Sequence, residues 1–175
     1  MRIRIAREED LPALLAIYNY EVRHGVATFD TEEATLPGRR AWLLAHNRDN
    51  HPLFVAEEGG AVLGYVSLSV FSAKPAYDGT VELSLYVAPD ARGRGVGGAL
   101  LEHIISWARQ DARTHVLISI ITAENAVSRH LHERLGFRLC GMLHEVGWKF
   151  GRWLDVAYYE LKVDGSGCEI PKTAL

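Results

Sequence analysis

Residues 80 to 112 constrain the chain most. A β-branched, aromatic stretch, Thr80-Val81-Glu82-Leu83-Ser84-Leu85-Tyr86-Val87, reads as a strand. Gly95 to Ala112 reads as a helix with Leu100, Leu101, Ile104, Ile105 and Ala108 on one apolar face. Between them lies Arg92-Gly93-Arg94-Gly95-Val96-Gly97-Gly98. Glycines let the backbone approach a ligand closely. The free amides at a helix N-terminus, aided by the helix dipole, favour phosphate. Arg92 and Arg94 add positive charge, so a pyrophosphate-bearing ligand is the natural reading.

Two other readings compete. Gly93, Gly95 and Gly98 satisfy G-x-G-x-x-G, the dinucleotide fingerprint. In a dinucleotide-binding unit, however, the glycines follow the strand almost directly, whereas here Ala88-Pro89-Asp90-Ala91 intervenes. The remaining residues also supply too few parallel strands for that fold. Glycines kept only for packing at a helix start are the other reading; so many glycines together with two arginines speak against it.

The rest of the chain gives an α/β pattern of the α+β type. Arg2 to Ala6 alternates as a strand, and Asp10 is placed to cap a helix with Pro12 in its first turn. Leu11, Leu14, Leu15, Tyr18 and Val22 recur at helical spacing; a loop follows at His24 to Glu32, then a short helix around Arg39 to His46. Gly59-Gly60 between two apolar runs signals a hairpin of Leu53 to Glu58 with Ala61 to Val70. Val116 to Ile121 is a continuous apolar run, as in a strand covered on both faces. A helix follows from Glu124 to Leu135 with Gly136 past its end, and two strands close the pattern at Phe137 to Glu145 and Trp153 to Val163. The expected order is β-α-α-β-β-β-α-β-α-β-β, a mixed, mostly antiparallel sheet with helices on both faces. Residues 1–163 read as one domain and the polar residues 164–175 as a flexible tail.

Composition excludes several classes. Net charge is -3, so there is no basic excess for a nucleic-acid partner. No apolar run approaches the roughly 18 residues of a membrane span, and the N-terminus shows no signal-peptide core. Cys140 and Cys168 are too few for a disulfide framework and fit reduced thiols in a cytoplasmic protein. No His, Cys or carboxylate cluster has ligand spacing, so no metal is expected.

The glycine loop also matches R/Q-x-x-G-x-G/A, the acetyl-CoA pyrophosphate signature of the GNAT superfamily, as Arg92, Gly95 and Gly97. Val81 to Val87 resembles that superfamily's central strand. Glu124-Asn125-Ala126-Val127-Ser128 followed by Leu131 to Phe137 resembles its second signature helix. Within the superfamily the chain is similar to phosphinothricin and methionine sulfoximine acetyltransferases. The supporting segments are Ala16 to Asn19, Pro75 to Glu82, Leu131-His132-Glu133 and Val146 to Asp155.

The resemblance implies acetyl-CoA as co-substrate, held by the segment Arg92, Gly93, Arg94, Gly95, Val96, Gly97 and Gly98, by Asn125 and Ser128, and by the backbone of Tyr86 and Val87. It implies the Val87 amide as donor to the thioester oxygen. Glu82, a carboxylate in an otherwise mostly apolar strand, is the candidate base; the alternative is a strand carboxylate paired with an Arg or Lys. His132 stands where the phosphinothricin enzymes carry histidine and is the candidate proton donor to the leaving thiolate; the alternative is a packed helix histidine. Phe29, Lys74 and Tyr77 match acceptor-pocket positions, with Lys74 as an anchor for an acidic group. Methionine sulfoximine relatives carry arginines in this loop, whereas Val70-Phe71-Ser72-Ala73-Lys74-Pro75 has none, which weakens that substrate. Trp148 to Trp153 reads as a hairpin tip at a homodimer interface, or as an exposed turn with one buried Trp.

The expected function is transfer of acetyl to the amino group of a small amino-acid-like substrate, phosphinothricin-like, by direct attack in a ternary complex. The alternatives are acetylation of a protein N-terminus or polyamine, and a non-catalytic acetyl-CoA sensor.

Overall fold

The computed structural model describes residues 1–163; the expected tail at 164–175, with Cys168, lies outside the described residues. The elements are β1 (Arg2–Ile5), α1 (Leu11–His24), α2 (Leu36–Leu44), β2 (Leu53–Glu58), β3 (Ala61–Val70), β4 (Thr80–Val87), α3 (Val96–Gln110), β5 (Val116–Thr122), α4 (Ala126–Arg134), β6 (Arg138–Lys149) and β7 (Arg152–Lys162). That is the order expected from the sequence. The seven strands form one sheet ordered β1-β2-β3-β4-β5-β7-β6, antiparallel throughout except for β4 beside β5.

Helices cover both faces because each carries an apolar stripe. Leu100, Leu101 and Ile104 of α3 are wholly buried, as is Leu14 of α1, and they join Val55, Val66, Leu68, Val81 and Leu117 of the sheet in one core. Each such side chain contributes roughly 1.5–3 kcal/mol. The β2–β3 turn has Gly59 and Gly60 at φ 59° and 83°, the backbone of a tight hairpin that glycine adopts without strain.

Three local expectations are corrected. Asp10 precedes α1 but makes no capping bond to it; its carboxylate accepts two bonds from the Arg4 guanidinium, at 2.7 and 2.8 Å, and one from the Arg7 amide at 2.7 Å. A fork-shaped cation beside a buried carboxylate outcompetes the helix amides. The second helix starts at Leu36, not near Arg39, because Thr35 caps it by accepting the Gly38 amide at 3.2 Å and Pro37 suits the first turn. In β5 burial alternates, with Leu117 and Ser119 buried and Ile120 exposed, so the strand is not covered on both faces along its length.

That uneven cover follows from a splay in the sheet. β4 and β5 pair only from Thr80 with Val116 to Leu83 with Ser119. Beyond that, β5 follows β7 as far as the Thr122–Val156 pair, while β4 follows β3 to the Val87–Gly64 pair. A wedge opens between two parallel neighbours. The Ala88 amide donates to Leu63 at 2.9 Å, so the next pair, Gly64–Val87, points its amides away from the partner. By the same alternation the amides of Leu85 and Val87 face the wedge, where no β5 residue pairs with them.

Candidate active site

The wedge opens into a cavity of about 240 Å³. Its floor is β4 (Glu82 to Tyr86) and β5 (Ser119 to Thr122), α4 supplies Ser128 and His132 with Asn125 just before it, and the segment Val26 to Phe29 closes one side. Of the residues named from sequence, Phe29, Glu82, Tyr86, Asn125, Ser128 and His132 line it together.

Glu82 is half-buried and makes no ion pair or hydrogen bond among the described residues; burial alone raises its pKa above the ordinary carboxylate value. The structure thus offers no Arg or Lys partner for it.

His132 is almost fully buried, and burial lowers its pKa although its bond to Ser128 works the other way. Nδ1 lies 2.8 Å from the Ser128 carbonyl oxygen, which can only accept. In the neutral ring Nδ1 therefore carries the hydrogen, and Nε2, which has no partner, presents a lone pair. Donation from Nε2 needs the imidazolium, which burial opposes, so the neutral ring presents Nε2 as an acceptor. The buried Ser119 hydroxyl in the same lining is also without a partner. Each orphaned polar atom costs about 1–3 kcal/mol unless a ligand meets it.

Asn125 caps α4, its Oδ1 accepting the Ser128 amide at 3.1 Å. The side-chain NH2 remains to meet a ligand, so capping and binding are compatible.

The glycine loop lies past the end of β4. Gly93 and Gly95 adopt φ of 73° and 79°, and a Cβ at either would meet nothing within 4 Å. Left-handed glycines beside the free amides that open α3 form an exposed nest for an anion. Arg92 bonds Glu21, and its Nε donates to the Val87 carbonyl at 3.4 Å; Arg94 bonds Glu58. Both arginines flank the nest while held by carboxylates. Gly97 lies against Leu131 and Val87, and Gly98 against Arg134, which seats α3 close to α4.

Lys74 and Tyr77, by contrast, lie in the exposed loop between β3 and β4 and do not line this cavity; Tyr77 packs edge-on against Phe71 at 5.6 Å.

The side wall was not read from sequence. Thr122 donates its hydroxyl hydrogen to the Val26 carbonyl, and the buried Lys149 ammonium donates to the carbonyls of Thr28 at 2.8 Å and Glu21 at 3.2 Å. Burial lowers the pKa of Lys149, against the pull of Glu21 and Asp30. Phe29 lies on Gly147 of β6 so closely that a Cβ there would come within 2.0 Å of its ring. Within Trp148–Trp153 the buried side chain is therefore Lys149, and both tryptophans are exposed, packed edge-on at 5.1 Å. A lysine between two aromatics gave no sequence signal of burial.

Among the described residues no three His, Cys, Asp or Glu side chains gather as metal ligands, and no helix is long and apolar enough to cross a membrane. Cys140 is free and exposed.

A wedge between parallel central strands with an anion nest at its mouth suits a ligand that joins an extended amide chain to a pyrophosphate, as the co-substrate of an acyl-transferring enzyme does. Residues 14–137 match the family model described as acetyltransferase (GNAT) family, and the chain belongs to that family. It is 42% identical to the L-methionine sulfoximine/L-methionine sulfone acetyltransferase of Pseudomonas aeruginosa, over 93% of this chain and 94% of that one. A Brucella melitensis structure described as ribosomal-protein-alanine N-acetyltransferase superposes with TM-score 0.89 at 46% identity, covering 93% of this chain and 99% of that one. A GNAT superfamily phosphinothricin acetyltransferase from Sinorhizobium meliloti, solved with acetyl-CoA, superposes with TM-score 0.88 at 34% identity, covering 95% and 89%.

Proposed function

We propose that this N-acetyltransferase moves the acetyl group of acetyl-CoA to the amino group of a small amino-acid-like acceptor by direct attack in a ternary complex. The observation that carries the reading is Glu82, unpaired and raised in pKa by burial, in one cavity with the lone pair of His132 Nε2.

The chain's residues fit the co-substrate. The nest at Gly93 to Gly98, with Arg92 and Arg94 beside it, suits a pyrophosphate. The unpaired amides of Leu85 and Val87 suit an extended amide chain, added like a strand, with the Asn125 NH2 group opposite. Tyr86 turns its own amide toward β3, so Leu85 takes the backbone role expected of Tyr86. Acetyl-CoA supplies an acetyl group activated as a thioester.

The residues then manage protons. Glu82 takes one from the acceptor ammonium, which frees the nitrogen lone pair for attack. His132 Nε2 takes the second proton from the attacking nitrogen as the C–N bond forms, and the resulting imidazolium, held by its Nδ1 bond to Ser128, gives that proton to the CoA sulfur as the C–S bond breaks. The Val87 amide, aimed into the wedge, meets the oxygen on which negative charge develops.

The small cavity, closed on one side by Val26 to Phe29, favours an amino acid over a polypeptide end as acceptor. Phosphinothricin-like acceptors follow from the similarity to the phosphinothricin and methionine sulfoximine enzymes. We also propose a homodimer: β6 is an edge strand, and Leu139, Leu143, Val146, Trp148, Phe150 and Trp153 stand exposed on it and its hairpin. Glu82→Gln tests the chemical reading. It lowers turnover by about 10²-fold or more while acetyl-CoA affinity is kept; undiminished turnover refutes it.

A further inference from the structure

A second cavity, about 260 Å³, lies on the face of β4 that carries Glu82 and is lined by Tyr18, Arg39, Trp42, Ser67, Ser84 and Tyr86. Arg39 is 5% exposed. Its guanidinium carbon lies 3.5 Å from the Trp42 ring centre, 4.6 Å from that of Tyr18 and 5.1 Å from that of Tyr65, and Nη2 donates to the Tyr65 hydroxyl at 2.5 Å. Arg39 forms no ion pair among the described residues, and its buried Nε has no hydrogen-bond partner. The buried Ser67 hydroxyl in the same lining has none either. Asp30, the acid at this cavity, is exposed, accepts the Tyr18 hydroxyl at 2.5 Å and forms no ion pair with Arg39.

An aromatic cage stabilises a cation only in part. A buried charge with an idle donor, sharing a cavity with an idle hydroxyl, has the donors that an anion would satisfy. The planar guanidinium suits carboxylate and phosphinate oxygens.

Position relates the two cavities. Glu82 pairs with Ser69 and Ser84 with Ser67 across β3 and β4, so Glu82, Ser84 and Tyr86 share one face. Ser84 and Tyr86 line both cavities. One two-residue step along a strand is about 6.6 Å. Arg39 shares its cavity with Ser84 and Tyr86, one and two such steps from Glu82, and not with Glu82 itself, so a ligand with its amine at Glu82 reaches Arg39 better through a distal acid on a glutamate-like side chain than through an α-carboxylate.

We propose that this second cavity is the subsite for the distal acid of the acceptor, with Arg39 Nε and the Ser67 hydroxyl as its donors. It takes the role that sequence gave to Lys74, which lines neither cavity. The inference rests on the acetyl-transfer reading for what the bound molecule is, but not for binding itself.

The test therefore omits acetyl-CoA. Glutarate and its diamide are titrated into the full chain by calorimetry, with wild type, Arg39→Gln and Glu82→Gln. Wild type is expected to bind glutarate at least tenfold more tightly than the diamide. Arg39→Gln loses that preference, and Glu82→Gln keeps it. Should Arg39→Gln not fold, nitrogen-15 spectra of wild type decide: the Arg39 Nε–H resonance moves downfield with glutarate and stays in place with the diamide. Equal binding of the two probes, no glutarate binding, or a folded Arg39→Gln that still prefers glutarate overturns the inference. If glutarate binding depends on Arg39 while no amine is acetylated, the subsite stands and the acetyl-transfer reading falls.

Discussion

Gly147→Ala tests how the side wall of the cavity is built. The added Cβ would lie 2.0, 2.4 and 2.8 Å from three carbons of the Phe29 ring. Unbonded carbons rest roughly 3.5–4.0 Å apart, so the ring must retreat by about 1.5 Å or more. Overpacking of this kind costs about 1–3 kcal/mol, and replacing glycine returns about 0.4–1 by restricting the unfolded chain. A net loss of roughly 1–2 kcal/mol lowers the melting temperature by about 2–8 °C in a domain of this size. Phe29 also lines the cavity, so its displacement changes the space for the acceptor, and KM for the acceptor rises about tenfold while acetyl-CoA affinity holds. Thermal denaturation and initial rates read the two effects. In the Gly147→Ala background, Phe29→Leu recovers stability that it does not confer alone, the signature of a direct contact. A Gly147→Ala protein with wild-type melting temperature and KM refutes the packing argument.

Three further outcomes follow from the charges and the exposed edge. The active form pairs ionised Glu82 with neutral His132, so kcat/KM falls on acidification; burial places the Glu82 step above the ordinary carboxylate value and the His132 step below the ordinary imidazole value. A pH profile whose acid limb lies where free imidazole titrates would contradict that assignment. Burial opposes ionisation of Asp10, but bonds from Arg4 and the Arg7 amide outweigh it and depress its pKa. Its folded pKa is thus below the unfolded one, so its stabilisation is present at neutral pH and is lost as pH falls through the folded value. Asp10→Asn costs about 3 kcal/mol at pH 7, the low end for a broken buried pair because Arg4 keeps Glu57, and by denaturant titration the cost shrinks as pH falls below the ordinary carboxylate value and through the folded one. Trp148→Glu halves the mass measured by light scattering, with melting temperature little changed; an unchanged dimer mass sinks the assignment of the interface.

The sequence was most readable where one local rule decided the outcome. Gly59-Gly60 specifies its hairpin, the apolar stripe of Leu100 to Ala108 specifies α3, and the loop at Arg92 to Gly98 can only present amides and space. Glu82 stood out as a carboxylate in a mostly apolar strand, where an ionisable group carries a cost that chemistry can justify; His132, in the polar segment Arg129 to Arg134, stood out only through its resemblance to the phosphinothricin enzymes. Long-range choices were not readable. Asp10 looks like a cap until Arg4 is brought to it by β1. Arg39 and Lys149 resemble solvated charges in a polar helix and a hairpin, and only the folded chain closes aromatics over one and backbone carbonyls over the other. The proton on His132 is set by a carbonyl one turn earlier, which fixes a tautomer that residue type leaves open.

The most direct test of the account is release of the CoA thiol from acetyl-CoA across an amine panel of phosphinothricin, methionine sulfoximine, methionine sulfone, glutamate, a polyamine and a short peptide. The account predicts turnover concentrated on the amino-acid-like members, strongest for those with a distal acid. Turnover confined to the peptide or polyamine, or none on any amine despite acetyl-CoA binding, would contradict it.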